Sequence, residues 1–218
     1  MKPNLSKKLI LIALASMVLS ACESVYYDAM EKVGIHKREI MIDRIEAAQE
    51  AQEEGQEQFK DALEQFQTVL NFDGGDLEDV YNKLNSEYEA SVAAAENITR
   101  KIDGVEAVSD ALFNEWEGEL TEYSNANLRR DSERQLNETR RQYERLMKAM
   151  RRAERTIDPV LASLKDNLLY LKHNLNARAI ASLKGELGNV NADVERLITA
   201  MQAAINESNT FVTQLRDG

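Results

Sequence analysis

The chain has 218 residues, 43% hydrophobic and 30% charged, with 38 acidic against 27 basic side chains and a net charge of −11. That acidity argues against nonspecific binding to nucleic acid or to anionic lipid heads. A single cysteine excludes an intrachain disulfide and two histidines leave a metal cluster few ligands, while two prolines and scarce glycine give a composition close to that of long helices and coiled coils.

The first elements are read at the amino terminus. Lys2, Lys7 and Lys8 precede the apolar run "LILIALASMVL" of residues 9–19. Eleven residues make about 16 Å of helix, short of a bilayer core of about 30 Å, so the run predicts a secretory signal rather than a permanent span. "LSAC", Leu19-Ser20-Ala21-Cys22, then resembles the bacterial lipobox, in which cleavage between Ala21 and Cys22 makes the lipidated cysteine the first mature residue. Several acyl chains on one cysteine hold a membrane stably where one chain does not. Glu23 follows instead of the aspartate associated with inner-membrane retention, which by analogy favours the outer membrane. Removing residues 1–21 takes away three lysines and moves the net charge to −14.

Residues 22–34 form an anchor-proximal segment with a short helix that stops or bends at Gly34. Residues 35–218 predict one helical domain with helices over about 35–72, 77–157 and 160–215. In the first, Met41, Ile45, Ala48, Gln52, Gly55, Phe59, Ala62, Phe66 and Val69 alternate spacings of four and three, the seam of a coiled coil. Gly74 and Gly75 supply a turn, with Asp76 as N-cap of the next helix. A stripe from Leu77 through Tyr88, Ile98, Ile102, Leu112, Trp116, Tyr123, Leu128, Leu136 and Leu146 predicts that helix to continue to Ile157, with Gly104 and Gly118 as bends. Unbroken, it would be about 120 Å long. Asp158 and Pro159 end it, and Pro159 suits the first turn of a third helix. Between Leu175 and Leu187 the spacing of four repeats, which is either a stutter in the supercoil or a break marked by Asn174 and Asn176. The fold class is all-α: an elongated antiparallel helical bundle or coiled coil of three or four long helices.

The densest charge anomaly is the segment 129–155, where Arg129, Arg130, Arg134, Arg140, Arg141, Arg145, Lys148, Arg151, Arg152 and Arg155 stand against five acids. Two readings stay open: a site for an anionic partner, or a face paired internally to acids three and four residues away and to the acidic helices beside it. His36 and His173 lack the companions of a catalytic set, Trp116 on the apolar stripe suits packing, and no phosphate-binding glycine loop occurs. The sequence thus carries no catalytic residues, no metal ligands and no cofactor signature. The sequons at Asn97, Asn137 and Asn206 are chance matches beside a bacterial lipobox.

"YYDAMEKVGIHKREIMIDRIEAAQEAQEEGQEQF" at residues 26–59 and "LKHNLNARAIASL" at 171–183 resemble a family of Gram-negative, largely marine gammaproteobacterial lipoproteins classed only as a domain of unknown function. The resemblance covers nearly the whole mature chain and implies helical envelope proteins, with no catalytic residues to carry over. The expectation is a non-enzymatic outer-membrane lipoprotein facing the periplasm, attached at Cys22 and acting as a helical scaffold with a protein partner or by self-association. The alternative is a chaperone-like or membrane-surface-binding bundle using residues 129–155. No nucleic acid partner is expected.

Overall fold

The computed structural model describes residue 30 and residues 34–72, 77–174 and 177–217. The signal segment, the Ala21/Cys22 cleavage and lipidation site, most of the anchor-proximal segment, the Gly74–Gly75 turn with Asp76, and Asn176 lie outside the described residues. Among the described residues six helices follow in order: α1 (Lys37–Leu70), α2 (Leu77–Glu119), α3 (Ala126–Arg155), α4 (Ile157–His173), α5 (Ala177–Leu183) and α6 (Leu187–Asp217). No strand occurs among the described residues.

Gly34 has φ of 87°, a conformation that side chains disfavour, and the N–H of Ile35 donates to the carbonyl of Met30 at 3.0 Å. That is the bond that closes a glycine stop. His36 then takes extended angles as the N-cap of α1, its carbonyl accepting from Glu39 and Ile40.

α1 and α2 are antiparallel: Lys37 at the start of α1 bonds Glu115 near the end of α2, while Gln58 reaches Glu87. α2 and α3 are also antiparallel, with Trp116 bonding Ser132 near the turn and Arg151 bonding Asp103 farther along. α3 passes into α4 at Thr156, which caps the end of one and the start of the other, and Pro159 sits in the first turn of α4 where its missing N–H has no helical partner to lose. α6 runs back, its Arg216 meeting Glu46 of α1. α6 packs on both α1 and α3, and α2 packs on α1, α3 and α4, which makes an up-down-up-down bundle with α1 and α3 at opposite corners.

The core is one continuous cluster that includes Ile45, Phe59, Phe66, Ile98, Val105, Leu146, Leu164, Leu197 and Met201. At its middle the helices approach through Gly55: a Cβ added there would lie 2.7 Å from Ile98 Cδ1 and 3.7 Å from Met201 Cε. The glycine in the α1 seam thus sets the distance between three helices.

Two helix boundaries differ from the sequence expectation. The helix expected over 77–157 is two helices, because residues 120–125 turn back. Thr121 bonds the Gly118 carbonyl through both N–H and Oγ1, and the side chain of Asn125 caps α3 by accepting from the N–H groups of Asn127 and Leu128. Tyr123 and Leu128, read as seam residues, are 41% and 55% exposed. The rod of about 120 Å is therefore replaced by a bundle about as long as the 43 residues of α2, about 65 Å. The helix expected over 160–215 is three. Asn174 caps α4, its side chain donating to the Tyr170 carbonyl at 2.9 Å, and Gly185 bonds back to Ser182 between α5 and α6. The repeated spacing of four marks this break.

A candidate anion-binding face on α3

The ten cations of residues 129–155 divide into two sets, because α3 turns one side toward α2 and another toward α6. Arg151 lies on the α2 side. Its guanidinium donates to Asp103 at 2.7 Å, Glu106 at 2.5 Å and Glu154 at 3.0 Å. Partial burial alone would lower its pKa, but the three carboxylate bonds outweigh that and raise it above the ordinary arginine value. Arg140 pairs with Glu117 and lies over the Phe113 ring at 5.2 Å from its centroid. Phe113 in turn meets Tyr143 edge-on at 5.3 Å. Burial raises the Tyr143 pKa, a hydrogen bond with Ser109 opposes the shift, and the charges of Asp110 and Glu106 add to it.

Within α3, Arg134 pairs with Asp131 at 2.9 Å, Arg141 with Glu138, and Arg130 bonds the Asn127 side chain. These contacts realise the internally paired reading for four of the ten cations, Arg134, Arg140, Arg141 and Arg151. Lys148, Arg152 and Arg155 are exposed and make no ion pair among the described residues, and neither does Arg129. Arg145 is exposed and acts on Glu138 only through its charge.

Arg145, Lys148, Arg152 and Arg155 follow spacings of three, four and three, so they form one ridge along α3. Arg145, Lys148 and Arg152 line an open groove of about 820 Å³ between α3 and α6. Its floor and far wall include Ala149, Ala192, Thr199, Ala200 and Ala203, with Arg196 held by Asp193. Glu195 and Glu207 temper the positive charge without cancelling it. Sequence reasoning missed this wall because it followed only the buried stripe of α6; the small residues Ala192, Thr199 and Ala203, at spacings of seven and four, were the available signal.

A second groove, about 590 Å³, opens where α2, α3 and α6 meet beside Arg38. Leu112, Trp116 and Leu215 give it an apolar floor and Glu115, Glu119, Glu138 and Asp217 an acidic rim. Trp116 is half-buried, and its indole N–H donates to Ser132 Oγ at 2.8 Å. His36 and His173 are both exposed and sit at opposite ends of the bundle, so the structure does not bring them together. Among the described residues, no group of three histidine, cysteine or acidic side chains is placed to hold a metal ion, and no helix is long and apolar enough to cross a membrane.

No curated protein matches the chain. The family model described as "Protein of unknown function (DUF2959)" matches residues 26–215, nearly the whole of the helical domain and the segment before it, and the chain belongs to that family.

Proposed function

We propose that the protein is a non-enzymatic lipoprotein of the outer membrane, facing the periplasm and acting as a helical scaffold. The observation that carries this reading is the order of features at the amino terminus: a basic start, an apolar run too short to span, "LSAC", and then a helical domain. Fourteen residues lie between Cys22 and Lys37, the start of α1. The geometry of the bundle supports the reading. α1 begins at the end that holds the α2–α3 turn and the last residues of α6, so an anchor at Cys22 tethers that end. The opposite end, with α4, α5 and the start of α6, then stands up to about 65 Å away.

The test is Cys22→Ser followed by membrane fractionation. The wild-type chain is expected in the outer-membrane fraction and the variant as uncleaved or soluble protein. A variant that still fractionates with the outer membrane overturns the anchor.

The exposed ridge on α3 favours one further reading, a bundle that binds a membrane surface or an unfolded client through residues 129–155. Charge reversal at Arg145, Lys148 and Arg152 tests it more cleanly than reversal at Arg140 or Arg151, whose side chains hold α3 to α2.

A further inference from the structure

The ridge on α3 has a counterpart on the same molecule. Along the outer side of α1, Asp43, Glu46, Glu50, Glu53 and Glu54 are all exposed. Asp43, Glu46, Glu50 and Glu53 repeat the spacing of three, four and three found at Arg145, Lys148, Arg152 and Arg155. Glu46 pairs with Arg216, and Glu53 accepts from Gln49; Asp43, Glu50 and Glu54 make no ion pair among the described residues.

The two stripes cannot meet within one chain, because α1 and α3 stand at opposite corners of the bundle. They can meet between chains. Both helices run antiparallel to α2 and hence parallel to each other. Arg44 of α1 lies against Gly104 of α2, and Arg151 of α3 bonds Asp103 and Glu106, so residues 44 and 151 share a level. In two copies standing side by side in the same orientation, the acidic stripe of one therefore overlaps the basic ridge of the other to within about two helical turns. The small residues of α6 beside the ridge let a helix approach closely, as in helix-in-groove recognition.

We propose that the face between α3 and α6 docks α1 of a second copy of this chain. The two patches differ, so the contact is head-to-tail, and each copy keeps one ridge and one stripe for a further neighbour. A lipid surface offers diffuse negative charge with no period, whereas an acidic helix whose spacing matches the ridge is present on every copy. The interface has charged edges and only small alanine side chains at its centre, so it is weak and salt-sensitive, and confinement of copies on one surface strengthens it. The proposal names the partner of the scaffold reading above, but its contacts do not involve Cys22.

The test uses two differently tagged full-length copies in one cell, one captured in mild nonionic detergent and the other detected. Wild-type copies co-purify at low salt, and at 1 M salt, where the screening length shrinks to about 3 Å, recovery falls at least about tenfold. Reversing the ridge in both copies (Arg145→Glu, Lys148→Glu, Arg152→Glu) abolishes co-purification. So does reversing the stripe in both copies (Asp43→Lys, Glu50→Lys, Glu54→Lys). Pairing a ridge-reversed copy with a stripe-reversed copy restores it, because the unaltered ridge of one meets the unaltered stripe of the other, and the reversed ridge meets the reversed stripe with opposite charge. All six positions are exposed, and far-UV circular dichroism of each variant verifies that it is folded.

Wild-type copies that do not co-purify overturn the proposal, as does a mixed pair that fails to recover. Phosphatidylglycerol vesicles that bind the wild type and not the ridge-reversed chain, without co-purification, assign the ridge to a lipid surface instead. Because co-purification is scored separately from fractionation of Cys22→Ser, failure of the contact and failure of the anchor are distinguishable.

Discussion

Along α1 and α2 the central contacts are apolar and close, with Ile45, Phe59 and Phe66 of α1 and Ile98, Ile102 and Val105 of α2 fully buried around Gly55. Along α2 and α3 the partners are largely polar: Trp116 with Ser132, Glu117 with Arg140, and Asp103 and Glu106 with Arg151. One hairpin is held by exclusion of water and the other by directed bonds that remain in reach of it. The centre of the first is therefore insensitive to salt and pH and intolerant of volume change, whereas the bonds of the second respond to both salt and pH.

The largest expected effect comes from filling the close approach. Gly55→Leu forces Ile98 and Met201 outward and costs about 3 kcal/mol of stability, read as a lower urea midpoint that is the same at low and high salt. A loss that shrank with added salt would contradict the apolar account of this hairpin. Next is Arg151→Ala, which leaves Glu154 without its cation and frees Asp103 and Glu106. Those two carboxylates are more than half exposed, so solvent offsets part of the loss, which is about 1–2 kcal/mol. Here the difference from wild type is expected to narrow at 1 M salt, and a salt-independent loss would place the role of Arg151 in its packed stem.

The same contrast explains what the sequence made legible. The α1 seam, from Met41 to Val69, is read correctly because each of its residues faces the core of one uninterrupted helix. The α2–α3 hairpin is misread as one helix because both arms of a hairpin turn their apolar residues to the same core. A spacing of four and its multiple runs through Leu112, Trp116, Leu120 and Leu128 whether or not the chain reverses between them. What distinguishes the cases is Asn125, whose capping bonds need only two backbone N–H groups and leave no periodic mark. The cationic segment was likewise visible as composition. Its division into Arg140 and Arg151 facing α2, and Arg145, Lys148 and Arg152 facing the α6 groove, depends on which neighbours α3 receives, and that follows from the turn.

Buried polarity offers a finer test of the apolar side. Gln52, next to Gly55 in the seam, is fully buried, and neither Oε1 nor Nε2 meets a hydrogen-bond partner. Gln52→Leu removes both unmet groups at similar volume and is expected to raise stability by about 1 kcal/mol. A destabilised variant would mean that the amide does bond, and that this layer specifies helix register. On the polar side, Trp116→Phe keeps the ring in its groove but deletes the donor to Ser132, for a loss of about 0.5–1 kcal/mol. The double change with Ser132→Ala should cost little more than either alone, since both remove the same bond.

The smallest effect is local and depends on pH. The Arg140 hydrogen bond and charge hold the Glu117 carboxyl below the ordinary carboxylate range, and the Arg141 hydrogen bond and charge do the same for Glu138. A carboxyl whose folded pKa lies below its unfolded value contributes stability that is present above the unfolded value and is lost as pH falls through the folded one. Both side chains are about half exposed, so the consequence is fraying at one end rather than unfolding of the bundle. Amide exchange, corrected for intrinsic rates, is expected to quicken at residues 117–141 as pH drops from about 6 to about 3, while the centre of α1 around Gly55 keeps its protection. Glu117→Gln should bring that fraying up to neutral pH and flatten its pH dependence. If both regions instead lost protection together on acidification, the directed bonds of the α2–α3 hairpin would not be a separable layer of the fold.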